Sequence, residues 1–300
     1  MDFAKLDALI SRWRGKDVVL LLNSFPLLKP TSAQDKGYGS PAYRKALRPY
    51  LDDLVAHMGA LGFDRQHFAL YPIDEPGGIG WPSIYQMGEF GKLVREANPT
   101  VPIYADAGGS DPAMFAYLAP YIDIWCPGVT MVATEPEKMA AMRANGKPIW
   151  SYNCSYNNYN KAMTPGGSLK EADVVSEYRA AGLWAFRHRV TGIGFWTYCT
   201  SPEDPWTRTR TEYVMVYPGR SGPVTSRRWE GVREGIEDYR ILAALKERLA
   251  AGALPETAKA GIKHLLEVSL PQFVDGVTDE AGLNSLREEM LDCVEAAGAK

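Results

Sequence analysis

The chain has 300 residues, 46% of them hydrophobic and 23% charged, a balance that excludes a disordered or collagen-like polymer and fits one large globular domain or two small ones. Lys plus Arg number 33 against 36 Asp plus Glu, a formal charge of −3, so there is no basic field to hold a phosphate backbone and nucleic acid is not an expected partner. Apolar runs such as residues 18–22 fall far short of the roughly 20 residues of a membrane span, and the opening Met1-Asp2-Phe3-Ala4-Lys5 lacks the apolar core of a signal peptide, so the sequence as written reads as cytoplasmic.

Apolar residues at Phe3, Leu6, Leu9, Ile10 and Trp13 follow helical spacing up to Gly15. Residues 18–22 then read as a buried strand, followed by a polar loop over 23–39. A helix is predicted over 40–61, opened by Ser40 as cap with Pro41 at the first helical position. The strand predicted over 68–73 stops at Asp74-Glu75-Pro76-Gly77-Gly78. The alternation repeats, with helix 82–98, strand 102–105, a short helix opened by Asp111-Pro112 and strand 121–126. Next come helix 136–145 closed by Gly146, strand 148–153, helix 169–189 and strand 193–198. A loop over 200–211 leads to a strand-like run at 213–217 and the turn residues Pro218-Gly219 and Gly222-Pro223. From Arg228 onward the pattern is helical, with breaks at 252–255 and 271–276.

Six apolar strands alternating with helices are the pattern of a parallel sheet covered on both faces, either doubly wound or closed. A (β/α) TIM-type barrel is the preferred reading, because polar residues collect where the strands end: Asn23, Asp74-Glu75, Asp106, Cys126, Tyr152-Asn153 and Trp196-Thr197-Tyr198. The barrel is expected to occupy 1–250, with 251–300 as a helical extension packed on it. Cys126, Cys154, Cys199 and Cys293 show no C-x-x-C spacing and read as small buried residues. A Ser-His-Asp or Cys-His hydrolase, or a histidine metal site, would have to be built from His57, His67, His188 and His264 alone. No metal or organic cofactor is implied.

The sharpest feature is Asp74-Glu75. Neighbours within a strand face opposite ways, but at a strand's end, with Pro76 and two glycines forcing a turn, both carboxylates can line one pocket. Two such acids, one kept protonated by burial and its neighbour's charge, suit glycoside hydrolysis. The plainer alternative is a helix-capping acid beside a surface acid. Aromatics near the strand ends (Tyr71, Tyr104, Trp125, Trp150, Tyr152, Trp196, Tyr198) would offer faces to a sugar ring, although core packing is an equal reading for Trp125 and Trp150. Asp106 would bind a sugar hydroxyl or, by a slight preference, cap the helix after it. Gly77-Gly78-Ile79-Gly80 lacks dinucleotide-fingerprint spacing, and Asp106 argues against an anion nest at Gly108-Gly109. Arg227, Arg228 and Arg233 read as a solvated helix start, one of them a potential partner for the acids.

The stretch 213–242, Y-V-M-V-Y-P-G-R-S-G-P-V-T-S-R-R-W-E-G-V-R-E-G-I-E-D-Y-R-I-L, resembles the hallmark segment of domain-of-unknown-function family 4091, where V-Y-P-G…G-P-V-x-S-x-R leads into R-x-G-I-E-D-Y. That family overlaps the catalytic barrel of glycoside hydrolase family 123. Tyr71-Pro72-Ile73-Asp74-Glu75-Pro76 is similar to its Asp-Glu signature after the fourth strand. Trp150-Ser151-Tyr152-Asn153-Cys154 and Gly194-Phe195-Trp196-Thr197-Tyr198 are similar to its seventh and eighth strands.

The resemblance, over about residues 15–245, implies a retaining, exo-acting β-N-acetylgalactosaminidase in which the substrate's 2-acetamido group is the nucleophile. Glu75 would be the general acid and then the base, and Asp74 would orient the acetamido nitrogen and stabilise the oxazolinium ion. Tyr152 would hold the acetamido oxygen and Trp196 would floor the sugar ring. Asn153, Asp106, Tyr198 and Trp125 complete the expected substrate-binding set, with an oligosaccharide or glycoconjugate as partner. Family members usually carry a β-sandwich and a secretion signal before the barrel. Counting the Asp-Glu strand as the fourth leaves the first two strands absent, so six β/α units remain. A homo-oligomer, a missing N-terminal domain or the C-terminal helices would then cover the open edge. The same fold with another sugar specificity, or a non-catalytic carbohydrate-binding module, are the alternative readings.

Overall fold

The structure is a computed structural model that describes residues 2–24, 40–107, 109, 111–144, 146–152, 174–195, 198, 215–276 and 279–298. Its contacts divide the chain into two compact units, Met1–Ile149 and Trp150–Lys300. Among the described residues no helix is long and apolar enough to cross a membrane.

The first unit is an α/β layer built on parallel strands. After helix α1 (Ala4–Ile10) and one 3₁₀ turn, strand β1 (Leu20–Asn23) is followed by α2 (Pro41–Ala60) and β2 (Phe68–Tyr71). Then come the single turn α3 (Pro76–Ile79), α4 (Trp81–Ala97), β3 (Tyr104–Ala107), α5 (Pro112–Leu118), β4 (Ile124–Pro127), α6 (Val129–Thr134) and α7 (Pro136–Arg143). β1 pairs with β2 in parallel from Leu20↔Phe68 to Asn23↔Tyr71. The bridge Leu70↔Ile103 carries the order on to β3, which pairs in parallel with β4, and Trp125 bridges to Ile149 at the unit's end. Phe68, Ala69 and Leu70 are fully buried because helices pack on both faces of such a sheet. Leu51, Leu54 and Met58 of α2 and Phe90 and Val94 of α4 supply much of that cover.

The helix starts follow the sequence signals. Ser40 Oγ accepts the Tyr43 N–H at 3.2 Å with Pro41 next in line, and Asp111 Oδ1 accepts the Ala113 N–H at 2.8 Å ahead of Pro112. At the N-terminal ends of β3 and β4, Asp123 gathers Arg95, Lys147 and the Ile103 N–H. Arg95 also donates to the Val101 and Tyr121 carbonyls at 2.7 and 2.6 Å, so this cluster ties strand starts together. Chemistry in open α/β layers belongs at the opposite, C-terminal ends.

The second unit opens with β5 (Trp150–Tyr152), parallel to β6 (Gly192–Gly194). A π turn over Val175–Arg179 runs into α8 (Ala180–Arg187), and β7 (Val216–Gly219) and β8 (Gly222–Thr225) form an antiparallel hairpin. The helices α9 (Arg227–Ala251), α10 (Glu256–His264), α11 (Leu270–Asp275) and α12 (Glu280–Gly298) follow. Leu183, Leu242, Leu245, Ile262, Leu265, Leu270, Leu283 and Met290 make one core shared by α8 and α9 with the later helices. The predicted break at Gly252 is present, with that glycine at φ 77°. The one expected at Pro271 is not: a π turn over Leu265–Ser269 precedes α11, Pro271 falls in its first turn where no N–H is needed, and the interruption comes only at Gly276. Within each unit, the strand pairings among the described residues close no barrel.

The hairpin and the start of α9 are tied to each other. Val216-Tyr217-Pro218-Gly219 and Gly222-Pro223-Val224-Thr225 are the two arms of the hairpin. Ser226 then caps α9, accepting the Trp229 N–H at 3.2 Å while donating to the Met215 carbonyl at 2.6 Å. Arg228, which the sequence pattern places in solvent, is instead buried, because its guanidinium donates to Tyr217 Oη at 2.7 Å and so fastens helix to hairpin. Arg227 and Arg233 are exposed, and Arg233 is held by Glu230 and Glu237 on its own helix.

Asp238, fully buried on α9, faces two arginines. Arg287 Nη1 donates to Oδ1 at 2.8 Å and Arg179 Nε lies 3.5 Å from Oδ2. Burial pushes its carboxyl up against the pull of both guanidinium groups. Asp238→Ala would take this buried partner from Arg287 and leave Arg179 with Glu234 alone, and partial solvent access to both arginines reduces the full cost of a broken buried pair. A loss of about 2–4 kcal/mol is expected in denaturant unfolding. An unchanged unfolding midpoint would show that the arginines reach water instead.

Candidate active site

The sequence expectation carried the second strand to Ile73. The ladder ends at Tyr71, because Pro72 has no N–H to continue it, although Pro72 and Ile73 remain buried. Asp74 and Glu75 therefore lie past the strand, on the turn into α3, and both are exposed. Glu75 is the N-cap of α3 at φ 42°, ψ 58°. A left-handed conformation in a residue with a Cβ costs on the order of 1–3 kcal/mol and persists only where its surroundings enforce it.

Asp106 supplies that enforcement. It is the third residue of β3 and only 5% exposed. Its Oδ1 accepts the Glu75 backbone N–H at 2.9 Å, and its Oδ2 is in a short hydrogen bond with the Tyr71 hydroxyl. The same hydroxyl contacts Asp74 Oδ1 at 2.5 Å. Asp106 thus reaches both members of the acidic pair, Glu75 through its amide and Asp74 through Tyr71. The edge of Tyr104, 5.0 Å away between ring centres, fixes the Tyr71 ring. The expected capping role for Asp106 does not hold: Asp111 caps the following helix, and Asp106 serves the turn after β2.

Burial, and then the neighbouring Asp74, raise the Asp106 carboxyl to about 7, against the hydrogen bonds from Tyr71 and Glu75 that favour its charged form. Burial and the two carboxylates push the Tyr71 hydroxyl far upward, so it stays protonated. Across the β3–β4 pairing sits Cys126, whose thiol burial raises to about 12, leaving it an inert neighbour. Gly109 closes the floor of the turn. At φ 136°, a Cβ there would meet Gly77 Cα at 3.2 Å, so the loops after β2 and β3 touch backbone to backbone.

A sequence profile described as "Glycoside hydrolase 123, catalytic domain" matches residues 29–245. The chain belongs to this family. No curated protein gives a match. Among solved structures the family 123 chain is similar to "The endo-beta1,6-glucanase BT3312", with 15% identity over 76% of this chain and 57% of that one and a TM-score of 0.41. It is also similar to the endo-1,4-beta-mannanase from Rhizomucor miehei, with 12% identity over 57% of each chain and a TM-score of 0.35. The chain spans 57% of the length of either solved structure.

Of the site residues expected in this family 123 chain, Asp74, Glu75 and Asp106 come together in the first unit. Trp125 does not join them at a surface. It is 1% exposed with its ring 6.0 Å from Phe115, and so fills the core of the α/β layer instead of presenting a face to a sugar. Tyr152 lies half-buried on β5, and Tyr198 is exposed and edge-on to Trp229, both in the second unit. Asn153 and Trp196 lie outside the described residues. Sequence reasoning took Tyr71 only as an aromatic face, whereas its hydroxyl is the link between two acids. The sequence expected one of Asp74 and Glu75 to be the acid raised by burial and a neighbouring charge; the carboxyl that burial and Asp74 raise is that of Asp106, the residue assigned to a lesser role.

Proposed function

We propose that the chain is a retaining, exo-acting glycoside hydrolase that removes terminal β-linked N-acetylhexosamine, N-acetylgalactosamine preferred, by substrate-assisted catalysis. The observation that carries the reading is the pair Asp74-Glu75, exposed at the exit of β2 and tied from beneath by Asp106 and Tyr71. Glu75 would protonate the leaving oxygen and then activate water. Asp74 would hold the acetamido N–H and face the positive charge of the oxazolinium ion. A substrate-borne nucleophile explains why no second enzyme carboxylate need stand at nucleophile distance. In the same reading the strands belong to a (β/α) barrel of six units over 1–250, with 251–300 packed outside it. Tyr152, Asn153, Trp196 and Tyr198 are the remaining sugar-binding candidates of this reading.

The test is nitrophenol release from nitrophenyl β-N-acetylgalactosaminide, with a thiazoline mimic of the oxazoline as inhibitor. Release blocked competitively by the thiazoline is expected. Equal release from a plain 2-hydroxy galactoside would move the specificity to another sugar and end the acetamido mechanism. Sugar binding by calorimetry without any release would make the chain a binding module.

A further inference from the structure

We infer that Asp106 is the positioning residue of the acidic pair and that it works as a neutral acid, passing its proton's direction through Tyr71 to Asp74. This inference rests on the reading of Asp74 and Glu75 given under the proposed function, and it gives a protonation state and a task to Asp106, which the sequence offered only as a sugar-hydroxyl ligand or a helix cap.

The argument is one of proton counting. The Tyr71 hydroxyl stands between Asp106 Oδ2 and Asp74 Oδ1, both within short hydrogen-bond reach, yet it carries one proton. With both carboxyls ionised, one oxygen pair would be pressed together with no hydrogen between them. One further proton resolves the conflict, and of the two acids, which also meet each other directly, it falls to the buried Asp106 rather than to the exposed Asp74, whose charge water can solvate. Asp106 Oδ1 is already accepting the Glu75 N–H, so the proton sits on Oδ2 and is donated to Tyr71 Oη. Tyr71 then donates its own proton to Asp74 Oδ1, leaving Asp74 the ionised member, as facing an oxazolinium ion demands. The other groups around Asp106 are consistent with this. Tyr71 approaches from the last position of β2, Asp74 and the Glu75 amide from the turn after it, and the Cys126 thiol stands beside it on β4. No cation among the described residues acts on the Asp106 carboxyl, so its charged form is favoured only by the Glu75 amide and, once Asp106 is ionised, by the Tyr71 hydroxyl turned back toward it. Its carboxyl is accordingly raised to about 7, and the chain of donors breaks as pH rises through that value.

Substitution separates this from a merely structural role. The side-chain amide introduced by Asp106→Asn would keep an oxygen for the Glu75 N–H and an N–H for Tyr71 Oη, imitating the neutral acid at every pH. Asp106→Asn is expected to stay within about tenfold of the parent kcat at pH 5.5, while Asp106→Ala, losing both hydrogen bonds, falls on the order of 100-fold. Across pH 5–9 the parent is expected to lose kcat as pH passes about 7 in a limb that Asp106→Asn lacks. Tyr71→Phe should lower kcat more than it changes KM.

A second arm needs no turnover: the Asp106 carboxyl carbon, assigned by its absence in Asp106→Asn, is followed by NMR and should titrate near 7. A midpoint near 4, or Asp106→Asn as damaging as Asp106→Ala, overturns the inference. If no nitrophenyl glycoside is cleaved, the substrate reading fails by itself and the carboxyl titration still decides this one.

Discussion

Glu75→Gln is expected to lower kcat by about 10²–10⁴-fold on a glycoside with an alkyl leaving group, and to slow the first step on a nitrophenyl glycoside far less. The substitution is chosen for shape. Gln is unbranched at Cβ like Glu and tolerates the φ 42°, ψ 58° backbone equally well, so the turn, the Asp106 hydrogen bond to the amide and the thermal midpoint should be unchanged. What disappears is a proton. An alkoxide cannot leave without one, whereas a nitrophenolate is stable enough at neutral pH to depart unaided. Under substrate-assisted cleavage the acetamido oxygen still attacks, so the variant should release a burst of nitrophenol and then stall, because no carboxylate remains to activate water. A series of aryl glycosides graded in leaving-group acidity provides the check: the variant's rate should depend far more steeply on that acidity than the parent's. A loss of equal size on every leaving group would remove Glu75 from the role of general acid and leave it a binding residue.

The order of strands and helices was legible because burial on both faces of a parallel layer demands unbroken apolar runs, and Phe68-Ala69-Leu70 or Ile124-Trp125-Cys126 can be little else. Strand ends were less legible, since apolarity continues where pairing stops. Ile73 is buried without being in the ladder, and the pairing of β3 runs to Ala107, past the predicted end at 105. The acid pair was visible from its own two letters, but what holds it was not. Asp106 meets the Glu75 amide because Leu70 stands opposite Ile103, which brings the exits of β2 and β3 side by side. That register is a relation between strands 33 residues apart, and no local pattern near Asp106 encodes it. Lacking it, a capping role was the natural reading, although Asp111-Pro112 already held the better cap. Trp125 stood open between sugar contact and core packing, since an aromatic at a strand's end suits either; its burial against Phe115 of α5 decides for the core.

Gly182→Ala and Gly235→Ala are each expected to destabilise the second unit by roughly 3 kcal/mol or more, the upper end for overpacked cores, although both lie in helices where alanine is the better helix former. A Cβ on Gly182 would sit 1.7 Å from the Gly235 carbonyl oxygen, and one on Gly235 would sit 2.2 Å from the Arg179 carbonyl oxygen. In both cases the obstruction is backbone, which no rotamer change can clear, so α8 and the π turn before it would have to separate from α9. Separation would also pull Arg179 from Glu234 and Asp238, coupling the steric loss to an electrostatic one. Gly235 is the glycine of the Arg233-Glu234-Gly235-Ile236-Glu237-Asp238-Tyr239 run, and the close approach of the two helices accounts for a glycine at that position. Gly59→Ala provides the internal control. It lies in α2 with open space where its Cβ would go, and there the same change is expected to stabilise by about 0.5–1 kcal/mol. Chemical denaturation of the three variants should therefore give shifts of opposite sign for one and the same substitution. Destabilisation at Gly182 and Gly235 no larger than at an ordinary helix position would mean that α8 and α9 are not in backbone contact.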